Sequence, residues 1–398
     1  MDPSEARIPE APISVQQGTH LATQPVLARP VRTNAALAVF AVIGIVLGAL
    51  ALLVVFGYFV AVLGVAGFVV AAVIALIPLG IVALGVRWVD RWEPEPRAIM
   101  LFAFLWGAGV SVLLALIIDG EIQNVIASFG GSSDAFVFLQ AAVQAPIVEE
   151  TAKGLGVLLI FLFARRHFDG PVDGIVYAAC VGAGFAFSEN IQYFAVAILE
   201  GDGSFGEIAG VFVVRGLMSP FAHVMFTALT GFAIGLAARR TGIAAGVGAF
   251  FIGLAAAVLL HAFWNGALFF VPDFFGYYVL VQVPLFVLGV LFVVYLRRQE
   301  ERLTFARLHE YAATGWFNPA EVGALATATG RRTAQRWAAS HGLSAQMRRY
   351  IRDSTKLAFF RQRLVDGDVP IDGQAHEAEL LRAVVASRRA LQGIPLQR

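Results

Sequence analysis

Residues 35–296 form a nearly unbroken series of apolar runs, and this feature limits the possible fold more than any other. Several runs reach the roughly 20 residues that a helix needs to cross the hydrocarbon core of a bilayer. The chain is 58% hydrophobic and 14% charged, whereas soluble domains are about 45–50% apolar and 25% charged. The sequence therefore predicts an all-α polytopic membrane protein. It excludes a soluble enzyme and a nucleic-acid-binding core, so we expect the lipid bilayer, and no nucleic acid, among its partners.

About eight transmembrane helices are predicted from the lengths of the apolar runs and the turn residues between them. Their approximate ranges are 35–56, 60–86, 98–118, 136–163, 172–199, 208–237, 242–270 and 274–296. The run from Asn34 to Val86 is almost continuous, and only Gly57, Tyr58 and Gly64 suggest that it divides into two helices. Fusing the first two helices would give seven spans.

The basic residues of the loops favour eight spans with both termini in the cytoplasm. Under this topology no predicted outer loop contains Lys or Arg, and the predicted inner segments before the tail hold Arg7, Arg29, Arg32, Arg87, Arg91, Arg97, Arg165, Arg166, Arg239 and Arg240. Cytoplasmic loops of membrane proteins carry an excess of these residues. A seven-span topology would place the N-terminal arginines outside. We therefore expect a multi-pass protein of the cell membrane.

Two segments of different composition flank the apolar region. Residues 1–33 are rich in Pro, Gln, Thr and Ala without an apolar stretch, which predicts a disordered cytosolic arm. Residues 297–398 hold 17 of the 29 Lys and Arg residues and alternate short helical patterns with turns. We predict a small, basic, helical cytosolic domain there, with residues 34–296 forming the transmembrane domain. Alternatively, the arginines of residues 297–398 contact anionic lipid headgroups.

Polar and ionisable residues cluster within four of the predicted spans. A charge inside a bilayer costs several kcal/mol and usually marks function. The residues are Glu149, Glu150 and Lys153 in the fourth span, Glu189 in the fifth, Arg215 and His223 in the sixth, and His261 and Asn265 in the seventh. At about 1.5 Å of rise per residue, they reach overlapping depths near the middle of the membrane. The sequence thus predicts one shared site.

The paired glutamates have the properties expected of a general base. Glu149 and Lys153 are four residues apart and share a helix face, so the lysine can partly neutralise a carboxylate. Two adjacent carboxylates in a low-dielectric site cannot both ionise easily, which favours proton exchange at one of them. Each feature alone also has a structural explanation, as a buried ion pair or as a histidine that hydrogen-bonds between helices.

Four short motifs lie in order on successive predicted spans. They are Glu149-Glu150-Thr-Ala-Lys153, Phe185-Ala-Phe-Ser-Glu189-Asn190, Arg215 with His223 eight residues later, and His261-Ala-Phe-Trp-Asn265. A loop reading Asp90-Arg91-Trp92-Glu93-Pro94-Glu95-Pro96 precedes them. Together these segments resemble the PrsW family of intramembrane proteases, distant relatives of the CAAX prenyl protease superfamily. The resemblance covers roughly residues 85–270.

The resemblance implies hydrolysis of a peptide bond in a membrane-anchored protein substrate, with anti-sigma-factor-like regulators as one class. It implies that Glu149 is the general base and Glu150 its acidic neighbour. His223 and His261 would be metal ligands or hydrogen-bonding catalytic groups, and Asn265 would steady a histidine or bind the oxyanion. The supporting residues are Lys153, Phe185, Asn190 and Arg215.

Two hypotheses about a cofactor stay open. His223, His261 and Glu189 can form a zinc set with water in the fourth position, from which Glu149 takes a proton. The CAAX relatives have histidine where this chain has Glu189, and no HExxH spacing is present. In the metal-free alternative, a carboxylate and a histidine activate water directly. The usual classification of the family as metalloproteases favours a divalent metal, Zn2+.

Two other classes of function compete with a peptidase. A proton-coupled transporter or channel also uses buried carboxylates, histidines and lysines. Against it, the chain shows no obvious inverted repeat, and the charges converge on one level. A non-catalytic scaffold acting through its tail is the third hypothesis, and the presence of all four motifs argues against it.

Overall fold

The computed structural model describes residues 35–128, 133–168, 170–200, 205–238, 242–367 and 373–393. Over these residues the chain forms eleven helices and no strand, which confirms the prediction of an all-α protein for this part. The predicted N-terminal arm at 1–33 and the arginine pair at 239–240 lie outside the described residues.

Seven long helices make up the apolar part of the chain. They are α1 (Ala35–Val89), α2 (Arg97–Ser128), α3 (134–163), α4 (Pro171–Glu200), α5 (Gly206–Ala238), α6 (Ile243–Phe269) and α7 (Phe274–Ala313). The carboxyl-terminal helices are α8 (Pro319–Ala326), α9 (Ala328–Ser340), α10 (Ser344–Val365) and α11 (Gly373–Leu391). Within the described residues, six helices are long and apolar enough to cross a membrane. The protein is therefore a multi-pass membrane protein.

The six candidate spans are fewer than the eight predicted helices, for two physical reasons. The first two predicted helices belong to the single apolar helix α1. The helix predicted at 136–163 corresponds to α3, which is not among the candidates. Its residues Glu149, Glu150 and Lys153 put three charges into little more than one turn. Helix α3 is therefore set apart from the six candidates by its charges.

Helix α1 turns back on itself at Gly64. The backbone of Gly64 has φ 69° and ψ 166°, a region that is essentially restricted to glycine. The ring centroids of Phe56 and Phe68 lie 5.1 Å apart, whereas twelve residues of straight helix would separate them by about 18 Å. The arms at 35–63 and 65–89 therefore run side by side, and the turn lies a few residues later than the predicted division.

Glycines let the neighbours of α4 approach it closely. A Cβ atom on Gly184 would lie 2.1 Å from the carbonyl oxygen of Phe104 on α2. One on Gly182 would lie 2.8 Å from the carbonyl oxygen of His223 on α5. Neither position has room for a larger residue. Helix α4 is thereby fixed against both neighbours, and Glu189 on α4 faces His223 on α5.

Two helices that supply site residues depart from regular α geometry beside the site. A wider π-type turn at Gln140–Gln144 in α3 comes just before Glu149. Another at Phe212–Met218 in α5 contains Arg215. Helix α5 is then interrupted at Pro220, which lacks the N–H group that would continue the helix. Such wide turns are frequent at functional sites.

The carboxyl-terminal helices pack with the end of α7 around a second core. Leu308 of α7 and Leu357 and Ala358 of α10 are fully buried in it. Asn318 and Glu321 form a reciprocal capping box at the start of α8. The tail is helical, as predicted. The predicted domain boundary at 296/297 lies inside the continuous helix α7, so the division into domains remains a proposal.

Candidate active site

The ammonium group of Lys153 lies at the centre of a buried polar cluster. Lys153 is 0% exposed. Its Nζ atom lies 2.6 Å from Glu150 Oε1, 3.4 Å from Glu149 Oε2 and 3.1 Å from His223 Nδ1. It also lies 4.1 Å from the centroid of the Phe185 ring. The three N–H donors of the ammonium thus have three acceptors, and an aromatic face stabilises the same charge.

Both carboxylate oxygens of Glu150 are occupied. Oε1 accepts from Lys153 and lies 3.0 Å from His261 Nδ1, and Oε2 accepts from the hydroxyl of Thr227 at 3.0 Å. Glu150 is 0% exposed. With every oxygen engaged, this carboxylate orients the lysine and the histidine and has little capacity left for a reacting molecule.

Glu149 makes fewer and longer contacts than Glu150. Its Oε2 atom lies 3.4 Å from Lys153 Nζ and 3.9 Å from His223 Nδ1, and the second distance is too long for a hydrogen bond. The residue is 9% exposed. Because its oxygens are less engaged, Glu149 is the member of the pair that can accept a proton from a water molecule.

Glu189 forms a second charged group with Arg215. Its Oε2 atom accepts a hydrogen bond from the Arg215 guanidinium and lies 2.6 Å from His223 Nε2. Arg215 also donates to Asn190 Oδ1 at 3.1 Å and lies over the ring of Tyr193, 3.7 Å from its centroid. The arginine is therefore oriented by an acid, an amide and an aromatic ring.

His223 joins the two charged groups. Its Nδ1 atom accepts from the ammonium of Lys153, and its Nε2 atom lies within hydrogen-bond distance of Glu189. A neutral ring with these partners carries its proton on Nε2 and donates it to the carboxylate. One imidazole thus links the cluster on α3 to the acid on α4.

His261 is fixed by three neighbours. Its Nδ1 atom donates to Glu150, and its Nε2 atom accepts from Asn265 Nδ2 at 3.2 Å. The ring of Phe226 stacks on it at 4.5 Å between centroids. The same Asn265 nitrogen donates to the carbonyl oxygen of Ala141 at 3.1 Å. Of the two roles expected for Asn265, this geometry favours steadying the histidine.

A cavity of about 60 Å³ adjoins this cluster, which is room for several water molecules. Its walls include both histidines and the second charged group. The lining residues are Ala186, Glu189, Asn190, Tyr193, Arg215, Ser219, Pro220, Ala222, His223, Phe226, His261, Trp264 and Asn265. Such a mixture of polar and aromatic side chains can admit water and the polar backbone of a peptide into the interior of the helix bundle.

The buried charges of the site do not cancel when its groups are ionised and both histidines are neutral. Three carboxylates then face two cations, Lys153 and Arg215. An excess negative charge in a low-dielectric interior is costly. A proton accepted by Glu149 removes that excess, which is the change that a general base undergoes during hydrolysis.

Among the described residues, one group of four side chains offers donor atoms within 4.8 Å of one another, as a metal site requires: Glu149, Glu150, His223 and His261. The group shares both histidines with the expected zinc set, whereas Glu189 instead pairs with His223 and Arg215. Lys153 Nζ already lies among these donors. Because zinc bonds are about 2.0–2.3 Å long, an ion held by the same atoms would coincide with the ammonium. These donor atoms can therefore surround the ammonium or a metal ion, but not both at once.

The structure brings the predicted site residues of α3, α4, α5 and α6 together in one place. It adds three residues that the motifs did not indicate, which are Thr227, Tyr193 and Phe226. Thr227 lies four residues after His223, and Tyr193 lies four residues after Glu189, so each shares a helix face with a motif residue. That spacing is the signal by which the sequence could have identified Thr227 and Tyr193.

Residues 95–289 match the PrsW family intramembrane metalloprotease model. The chain is similar to Protease PrsW of Geobacillus kaustophilus, with 36% identity over 150 residues, which cover 37% of this chain and 58% of that protein. It is also similar to Protease PrsW of Clostridioides difficile, with 32% identity over 164 residues, 40% of this chain and 63% of that protein. A third relative, from Oceanobacillus iheyensis, is 28% identical over 208 residues, 52% of this chain and 86% of that protein. No solved structure is a significant match.

Through residues 95–289 the chain belongs to the PrsW family, as the four motifs indicated. The matched region contains every side chain of the cluster described above. Helix α1, the residue Trp92 and the helices α8 to α11 lie outside it. The chain spans 58% and 63% of the length of the first two relatives.

Proposed function

We propose that the protein is an intramembrane peptidase that hydrolyses a peptide bond of a membrane-anchored protein. One observation carries the proposal: His223 and His261 line a polar cavity inside a bundle of membrane helices. Two adjacent buried carboxylates, Glu149 and Glu150, lie 3.9 and 3.0 Å from these two rings. The relatives carry the name of proteases, which supports the same reaction. Anti-sigma-factor-like regulators with a single span are the substrate class that we propose to test first.

In the proposed mechanism, Glu149 removes a proton from water while the water oxygen adds to the carbonyl carbon of the scissile bond. The carboxyl group then gives this proton to the leaving nitrogen as the C–N bond breaks. Glu150 takes no proton, because its oxygens hold Lys153, His261 and Thr227 in place. Lys153 limits the repulsion between the two carboxylates throughout.

The oxyanion of the tetrahedral intermediate needs donors that face the cavity. His223 Nε2–H and the guanidinium of Arg215 both line it, and both contact Glu189 there. We propose that the substrate oxygen competes with Glu189 for these donors as it becomes negatively charged. Before the substrate binds, Glu189 would keep both donors directed into the cavity.

We propose eight membrane crossings, with both termini in the cytoplasm. The two arms of α1 and the whole of α3 each exceed the roughly 20 residues that a crossing needs. Single cysteines at Ser133 and at Thr329, introduced after Cys180→Ala, test the orientation in intact cells. An impermeant thiol reagent should label the first and not the second. The reverse pattern would contradict the topology.

A zinc ion is the second candidate for activating the water. The four donors and the description of the family as metalloproteases support it. Zinc would need Lys153 to leave the cluster, and His223, His261 and a glutamate would then hold the ion. A purified protein that keeps full peptidase activity after exhaustive chelation, with no metal found by elemental analysis, favours Glu149 alone. Loss of activity on chelation with recovery on adding zinc favours the metal.

The test of the proposed function is cleavage of a defined substrate by purified protein in proteoliposomes. Single-span reporter proteins are incubated with the wild type and with Glu150→Ala, and the products are identified by mass spectrometry. Cleavage within or near the span by the wild type alone supports the peptidase. Proton-driven uptake of a solute by the same proteoliposomes, without cleavage of any reporter, would support the transporter instead.

A further inference from the structure

Arg331, on α9, is buried against the loop at 90–96. Only 7% of Arg331 is exposed. Its Nε atom donates to the carbonyl oxygen of Leu325 and its Nη2 atom to Thr355 Oγ1, both at 2.6 Å. Its Nη1 atom donates to the carbonyl oxygen of Trp92, also at 2.6 Å. One side chain therefore joins α8 and α10 of the carboxyl-terminal bundle to a loop of the membrane domain.

Trp92 is held from two sides. The guanidinium carbon of Arg331 lies 3.4 Å from the centroid of the indole ring, a cation–π contact in a buried place. On the other side the indole Nε1 atom donates to Thr304 Oγ1 of α7 at 3.2 Å. Trp92 is 7% exposed and Thr304 is 0% exposed. The position of this loop residue is thus set by the bundle and by the extension of α7.

Three residues further on, the same loop contacts helix α4. The N–H of Glu95 donates to Asp90 Oδ1 at 2.9 Å, which closes the loop on itself. The carboxylate of Glu95 accepts a hydrogen bond from the hydroxyl of Tyr177. Tyr177 is 0% exposed and lies near the beginning of α4. The loop therefore anchors the beginning of the helix that carries Glu189.

Close packing connects the beginning of α4 with the catalytic cluster. Tyr177 lies twelve residues before Glu189, which is about 18 Å along α4. A Cβ atom on Gly174 would lie 2.0 Å from the carbonyl oxygen of Gly231 on α5. One on Gly182 would lie 2.8 Å from the carbonyl oxygen of His223, also on α5. Interfaces this dense transmit a displacement instead of absorbing it.

We propose that Arg331 is a positioning residue for the membrane site. Through Trp92 and Glu95 it fixes the beginning of α4, and through α4 it fixes the separation of Glu189 from His223. The carboxyl-terminal bundle thereby holds the catalytic helices in register. Arg331 and Trp92 both lie outside the region that matches the family model. The kinetic test of this role rests on the proposed peptidase function, and the structural test does not.

The structural test uses full-length protein in lipid nanodiscs and hydrogen–deuterium exchange. The variants are Arg331→Met, Arg331→Lys and the matched control Arg332→Met, which removes the exposed neighbouring arginine of the same helix. We expect exchange over 170–180 to become at least about ten-fold faster in Arg331→Met and to stay unchanged in the control. Exchange over 351–358, in the core of the bundle, reports whether the bundle remains folded.

The kinetic test uses any substrate that the wild type cleaves. Misplacement of a catalytic group by about 1 Å can cost on the order of 10²-fold in rate, so kcat should fall about ten- to a hundred-fold in Arg331→Met with KM unchanged. Arg331→Lys, which restores the charge and part of the hydrogen bonding, should recover part of the loss. Wild-type kcat in Arg331→Met, despite faster exchange over 170–180, would overturn the proposal.

Unchanged exchange over 170–180 in a folded Arg331→Met protein would also overturn the proposal, whether or not a substrate has been found. If exchange over 351–358 rises as well, Trp92→Phe replaces the test, because it removes the bond to Thr304 and leaves Arg331 in place. Faster exchange over 170–180 in that variant supports the proposal, and unchanged exchange overturns it. A wild type that cleaves nothing refutes the peptidase and leaves the exchange experiment decisive for the coupling.

Discussion

Replacing Lys153 by methionine removes the central charge of the cluster while nearly preserving the length of the side chain. The ammonium lies within 3.4 Å of acceptors on Glu150, Glu149 and His223, and it has no exposed surface. Its loss leaves two adjacent buried carboxylates without their shared cation. Removing one partner of a buried ion pair typically costs about 3–5 kcal/mol, so we expect a loss of this size in the free energy of unfolding.

The chain supplies its own control for this experiment. It contains two lysines, and the other one, Lys356, is exposed on α10. Lys356→Met should change stability by no more than about 0.5 kcal/mol, as exposed substitutions usually do. Both variants are unfolded by a graded denaturant in the same detergent, and helix content is followed by circular dichroism. The difference between the two variants isolates the effect of burial and pairing.

A second variant separates electrostatics from packing. If the cost arises from unpaired carboxylates, adding Glu150→Gln to Lys153→Met should recover part of the lost stability. A Lys153→Met protein within about 0.5 kcal/mol of the wild type would refute the assignment of Lys153 as the cation of this cluster. A large loss that Glu150→Gln deepens would refute the electrostatic explanation.

Two further predictions concern parts of the chain outside the cluster. Gly184→Val should lower the free energy of unfolding by at least about 1–3 kcal/mol, because the new side chain overpacks against the carbonyl oxygen of Phe104. Gly80→Val, where a Cβ atom meets open space, should not have this effect. Thermal unfolding of both variants checks this prediction. Burial raises the pKa of Asp90 from 3.8 to about 6, so the folded protein binds this proton more tightly than the unfolded chain does. The stability that the protonated carboxyl group contributes is therefore complete below pH 4 and is lost as the pH rises to about 6. Asp90→Asn should flatten the stability profile between pH 4 and 6.

The class of fold followed from the sequence because the bilayer requires long apolar helices and satisfies no backbone hydrogen bonds itself. The turn in α1 was harder to place. Gly57 and Gly64 both interrupt the apolar run, and only Gly64 adopts a positive φ. Sequence periodicity cannot distinguish a helical glycine from one at a turn, since that choice depends on the packing of the two arms.

Convergence of the polar residues could also be predicted, because their depths in the membrane follow from helical rise. The pairing of Lys153 with the adjacent glutamates followed from their spacing, whereas the partners of Glu189 could not be predicted. Glu189 was expected beside a metal, yet it contacts Arg215 and His223. Which oxygens face the cavity depends on helix rotation, and rotation is set by close contacts such as that of Gly182 with α5. The contact between Arg331 and Trp92 spans 239 residues of sequence, and no local pattern indicates it.

The central claim is that Glu149 is the base that activates water, and cleavage by Glu149→Gln tests it most directly. Glutamine keeps the shape of the side chain and removes the basic oxygen. The variant and the wild type are reconstituted in equal folded amounts and compared on the same membrane-anchored substrate, with Glu121→Gln as an exposed control. We expect the control to match the wild type and Glu149→Gln to cleave at least about 10²- to 10⁴-fold more slowly. Cleavage by Glu149→Gln at a rate near that of the wild type would contradict the mechanism.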